Sequence, residues 1–135
     1  MSRLPALLAV LALVATGCAM PKKEPPPKPF AGTRWDVVLE MPPAGEQPFL
    51  IFADGLMEGF GGCNPLAARY VQDSVGARAL VVGRIQSGTR GCDPRAQAVE
   101  ARVLGVLQSV SSYTITADVM NMSGSAGSLL LRAHP

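Results

Sequence analysis

Val99, Val103, Val106, Leu107 and Val110 recur at the three- and four-residue spacing that lines up one face of an α-helix. This stretch limits the fold more than any other feature, because the segments around it read as short strands. Its start is well marked. Asp93 is a good N-cap, and Pro94 suits the first helical position, where its missing N–H costs nothing. The spacing predicts one helix over Pro94–Ser109.

On either side the pattern changes. Arg34–Glu40 holds β-formers and reads as a strand. Phe49–Ala53 and Leu56–Phe60 flank Asp54-Gly55, and an Asp-Gly pair between apolar runs is the strongest short-range signal for a hairpin. Ala79–Ile85 reads as a further strand. Tyr113–Thr116, Val119–Met122 and Ser128–Arg132 read as three closing strands, with Asp118 in the first turn and Gly124 to Gly127 in the second. Strands broken by one helix predict an α+β, mostly β fold: a small bent antiparallel sheet or partial β-barrel with one helix packed against it.

The N-terminus stands apart. Met1-Ser2-Arg3 is short and basic, and Leu4 to Ala15 is apolar and uncharged. A run of that length falls short of the roughly 20 residues a spanning helix needs, so residues 1–17 read as a signal peptide. It ends in Ala15-Thr16-Gly17-Cys18, which resembles the lipobox of bacterial lipoproteins, with Ala15 where Leu is commonest. The resemblance implies acylation of the Cys18 thiol and cleavage just before it. Two or three acyl chains, at about 0.8 kcal/mol per buried methylene, anchor stably. Ala19 follows the cysteine instead of Asp, which by the same resemblance implies the outer membrane, facing the periplasm.

Residues 18–29 include Pro21-Lys22-Lys23-Glu24-Pro25-Pro26-Pro27-Lys28-Pro29. Such a segment favours extended polyproline II and reads as a tether, with a proline-rich ligand for another protein as the sharper alternative. The folded domain is expected over residues 30–135. A formal net charge of +2 gives no reason to expect a nucleic-acid partner. His134, the one histidine, stands next to the chain end, so neither a metal site nor a Ser-His-Asp set is expected.

Past Cys18, an even pair remains. Cys63 and Cys92 sit in glycine-flanked loops of a chain expected to reach an oxidising compartment, and a disulfide is the leading reading. Free structural thiols and a reactive cysteine are the alternatives.

The order of motifs then matters. Gly32-x-x-Trp35 opens the domain, the Asp54-Gly55 hairpin leads into Gly62-Cys63-Asn64, and Thr89-Arg90-Gly91-Cys92 precedes a helix containing Glu100. This order resembles the META domain, also called HslJ-like, of bacterial envelope lipoproteins and secreted proteins. Pro65 and Gly91 depart from the usual residues at their positions. The resemblance implies a compact barrel-like fold with one helix, a stress-linked envelope role in some members, and likeness to secretin pilot lipoproteins. It implies no enzyme activity.

Trp35 reads as a core anchor. Asn64, Thr89 and Arg90 are the candidate contacts for a partner or ligand. No catalytic residue, metal or cofactor is expected. The expected role is a monomeric, lipid-anchored, non-enzymatic envelope protein that binds another envelope protein or supports the envelope under stress, with an exposed apolar groove or patch. The alternative is a hydrophobe-binding module with a dry cavity near Phe52, Val103 and Leu107.

Overall fold

The structure, a computed structural model, describes residues 17–41, 43, 45–73 and 78–135. The signal-peptide reading therefore lies outside the described residues, Gly17 excepted. The elements are β1 (Arg34–Val37), β2 (Phe49–Ala53), β3 (Leu56–Phe60), β4 (Pro65–Gln72), β5 (Leu80–Val82), β6 (Gln86–Ser87), α1 (Pro94–Ser109), β7 (Val110–Thr116), β8 (Val119–Gly124) and β9 (Gly127–Ala133).

The strands form one antiparallel sheet in the order β5-β4-β3-β2-β1-β9-β8-β7, with β6 on the first half of β4. Its two ends curl towards each other. An Ala79–Ser112 bridge and a bond from Tyr113 N–H to Arg78 O (3.1 Å) join them across a single seam. The result is a barrel-like, mostly β fold with one helix packed against it. Side chains alternate along the strands: Trp35 and Val37, Leu50 and Phe52, and Leu129 and Leu131 are buried, while their neighbours point outward. The β2–β3 turn is made by Asp54 and Gly55, both at positive φ (49° and 77°), as a two-residue hairpin of this hand requires.

The helix matches the predicted span residue for residue. Asp93 caps it by accepting from Arg95 N–H and Ala96 N–H, both at 3.0 Å. Val103, Val106 and Leu107 enter the common core.

Several strands differ from expectation: β7 begins at Val110 instead of Tyr113, and β8 and β9 run one or two residues further. β1 ends at Val37, not Glu40, because the chain turns away from the sheet once Val38 N–H has bonded Leu130 O (2.8 Å). β5 keeps only Leu80–Val82 of the expected Ala79–Ile85. Two strands are not expected from the sequence, the two-residue β6 and, eight residues long, β4, which pairs with β3, β5 and β6. Its inward residues, Leu66, Ala68 and Tyr70, alternate with Ala67, Arg69 and Val71. Small or apolar residues on both faces blur the period of two, and Pro65 stands at the first position, where a strand tolerates proline.

The register gives the barrel two distinct ends. The helix end holds α1, the start of β4 and the β8–β9 turn. The opposite end holds the β2–β3 and β7–β8 turns, and the chain enters there. Lys28 N–H bonds Ala117 O (2.7 Å) and Gly32 N–H bonds Phe52 O (2.8 Å). Phe30 caps the core at that end, its ring centroid 4.5 Å from Phe52, 4.6 Å from Tyr113 and 5.7 Å from Tyr70.

Candidate functional site: latch and groove at the helix end

Cys63 and Cys92 are joined by a disulfide, with Cα atoms 5.9 Å apart. The bond ties the β3–β4 turn to the loop that leads into α1. Beside it lies Glu100, buried in the side of the helix. One carboxylate oxygen accepts from Cys63 N–H (3.0 Å) and Asn64 N–H (2.5 Å); the other accepts from the Asn64 amide (3.0 Å).

Asn64 is equally committed. Its side-chain oxygen accepts from Arg90 N–H (2.7 Å), and its amide also reaches Arg90 O (3.3 Å). One side chain therefore holds three segments together: the β3–β4 turn, the loop before α1, and α1 itself. A buried carboxylate with three donors is a charge-assisted network that fixes geometry strongly. Room for it comes from missing side chains. A Cβ at Gly61 would lie 2.9 Å from the Glu100 carboxylate, and one at Gly88 would lie 2.8 Å from the Asn64 oxygen.

The candidate contacts named from sequence thus part company. Asn64 is buried in the latch. Arg90 gives its backbone to that latch while its residue stays exposed, and Thr89 is exposed beside it. Cys18 lies in an exposed segment without helix or strand, as a free cysteine. Trp35 is fully buried and donates its indole N–H to Phe30 O (3.1 Å). Among the described residues no helix is long and apolar enough to cross a membrane.

A groove of about 360 Å³ opens between the first half of α1 and the β1–β9 edge. Its apolar walls are Val38, Met41, Leu129, Leu130, Val99 and Val103, and Glu40 and Arg102 stand on its rim. Met41 is 62% exposed, and Val38 and Leu130 are nearly half exposed. Val103 borders this groove. Phe52 and Leu107 do not; they are sealed in the core.

Sequence reading singled out none of Val38, Met41 and Leu130. Two signals were present. Apolar residues continue past the end of β1, where a loop is usually polar, and Leu130 is the outward member of a Leu129-Leu130-Leu131 run. In the sequence Glu100 reads only as an acidic residue in the helix. Its position three before Val103 and seven before Leu107 puts it on the buried face.

Three comparisons bear on kinship. Residues 28–134 match the family model of the META domain. No curated protein matches the chain. Among solved structures, an NMR structure of a protein from Burkholderia xenovorans is similar, at 17% identity and a TM-score of 0.62, covering 99% of each chain. A crystal structure of a DUF4847 family protein from Bacteroides vulgatus is also similar, at 15% identity and a TM-score of 0.57, covering 78% of this chain and 94% of that one. At such identities the likeness is one of fold. The family match spans the barrel, the latch and the helix alike, and the chain belongs to the META domain family.

Proposed function

We propose that this protein is an exported lipoprotein, held by acyl chains on Cys18 at the periplasmic face of the outer membrane, whose META domain binds another envelope protein without catalysing a reaction. The observation that carries the binding role is the groove: Val38, Met41 and Leu130 are exposed along one depression beside the first half of α1. Fully covering one such side chain contributes about 1.5–3 kcal/mol, part of which offsets the cost of association. A partner segment with two or three apolar side chains, and charges to meet Glu40 and Arg102, fits this surface. The sealing of Phe52 and Leu107 in the core favours surface contact over an enclosed hydrophobic ligand. The full commitment of the Glu100 carboxylate to three donors speaks for a structural group and against a catalytic one.

Two measurements test the reading. In the producing cell, labelled palmitate should enter the protein and be lost in Cys18→Ser; labelling that survives the substitution removes the anchor. A photo-crosslinking residue at Met41 should give one adduct of discrete mass, abolished by Leu130→Glu. If the same residue at exposed Thr114 gives the same adduct, the groove is not the binding surface.

A further inference from the structure

Among the described residues of the barrel, the large exposed apolar side chains away from the groove gather in one place. Val71 of β4 and Val81 of β5 are direct cross-strand partners on the outer face, 74% and 59% exposed. Leu56, also exposed, opposes Arg69, the next outward residue of β4 before Val71. Arg84 closes the patch: with Leu56 and Arg69 it lines an open depression of about 390 Å³. Among the described residues neither Arg69 nor Arg84 is in an ion pair, whereas Arg34 and Arg132 are paired with Asp36 and Asp118. Glu58 shares this outer face, Asp54 stands at the turn and exposed Asp73 follows Val71 on the side away from Arg69, so the charge is mixed; the two arginines stand together on the Leu56 side of the patch.

The position of the patch gives it an occupant. It lies at the end of the barrel where the tether enters. Phe30 packs against Tyr70, which sits between Arg69 and Val71. Gly32 bonds Phe52, at the base of the hairpin that carries Leu56. The last residue tied to the domain is Lys28, and the exposed chain from there back to Cys18 spans only about 30 Å when extended. Lys22 and Lys23 lie within that span.

We infer that the Leu56–Arg69–Val71–Val81–Arg84 face is a membrane-docking surface that rests on anionic phospholipid. Its aliphatics reach the interface, and the arginines and tether lysines meet lipid phosphates. The inference rests on the Cys18 anchor, which keeps the domain within one tether length of the bilayer. Under that confinement the effective lipid concentration is high, and a weak surface is enough to hold one orientation. Basic side chains each add modest, salt-screened attraction to an anionic leaflet. The groove, at the other end of the barrel, is then turned to the periplasm.

The test uses the chain from Cys18 to Pro135 with its disulfide intact, coupled through the Cys18 thiol to a maleimide phospholipid in nanodiscs of phosphatidylglycerol and phosphatidylcholine. Chemical coupling separates this question from whether the cell acylates Cys18, which palmitate labelling reads. A paramagnetic headgroup lipid should enhance amide relaxation at Leu56, Val71 and Val81 at least about three-fold over Met41 and Leu130, and pure phosphatidylcholine should at least halve that difference. Val71→Ser with Val81→Ser, both on exposed sites, should abolish it while the rest of the spectrum stays unchanged. Equal enhancement at both ends, or stronger enhancement at the groove, overturns the inference. So does a concentration-dependent shift of the Val71 and Val81 signals without lipid, which would give the face to a second copy of the chain.

Discussion

Glu100 is the residue on which the helix end depends most. Removing its carboxylate leaves two backbone N–H groups and one amide N–H without their acceptor in a buried site. Unmet buried donors cost about 1–3 kcal/mol each, with partial relief from water. Glu100→Ala should therefore lower stability by roughly 3 kcal/mol, with a smaller loss for Glu100→Gln, which keeps one acceptor. Urea unfolding followed through the fluorescence of Trp35, the single tryptophan, measures it. A loss under about 0.5 kcal/mol in the alanine variant would show that the network adds little. Much of this latch was visible in the sequence as a set of residues, since Cys63, Asn64, Arg90, Cys92 and Glu100 all stand in the motif order. Their wiring was not. Asn64 is polar and lies in a glycine-rich loop, which is equally the description of a surface contact. Only the approach of α1 to the β3–β4 turn, 36 residues away in sequence, makes it an internal one.

Among the elements, those with strong local signals were legible. The helix has a cap, a proline at its first position and a clean period; the β2–β3 hairpin has Asp54-Gly55. Both follow from short-range physics. β4 was missed because two of its outward residues, Ala67 and Val71, are no more polar than its inward ones, which leaves Arg69 alone to mark the alternation. Its strand form comes from pairing with β3 and β5, which is tertiary information. The link between β4 and α1 is also where the disulfide acts. It closes a loop with a sequence separation of 29, for which chain entropy gives a stabilisation of about 3–4 kcal/mol. Reduction should remove about that much. Because Glu100 and Asn64 hold the same segments, the barrel should stay folded, and faster amide exchange should appear first from Gly88 to Ala96. Uniformly faster exchange across all strands on reduction would mean that the bridge supports the whole barrel and not this corner.

At the scale of the whole molecule, the question is where tether ends and domain begins, because under the proposed Cys18 anchor that sets how far from the lipid the barrel can sit. The sequence suggested residue 30 from the end of the proline run. The structure puts the boundary slightly earlier and gives it a mechanism. Lys28 is bonded to the β7–β8 turn, Pro29 O accepts from the Thr33 hydroxyl (2.7 Å), and Phe30 closes the core while its carbonyl pairs the Trp35 indole. A chain beginning at Lys28 should thus melt within about 2 °C of one beginning at Cys18, since everything between them is exposed. A chain beginning at Ala31 loses a buried phenylalanine, worth about 3–5 kcal/mol, and leaves the Trp35 N–H without its acceptor. Its melting temperature should fall by on the order of 15 °C. Calorimetry on the three chains decides the point. If the Ala31 chain melts like the others, Phe30 belongs to the exposed N-terminal segment, and that segment is longer than the structure implies. If it melts as expected, Phe30 belongs to the domain and the exposed segment is fixed to the barrel at the end that carries the β2–β3 and β7–β8 turns.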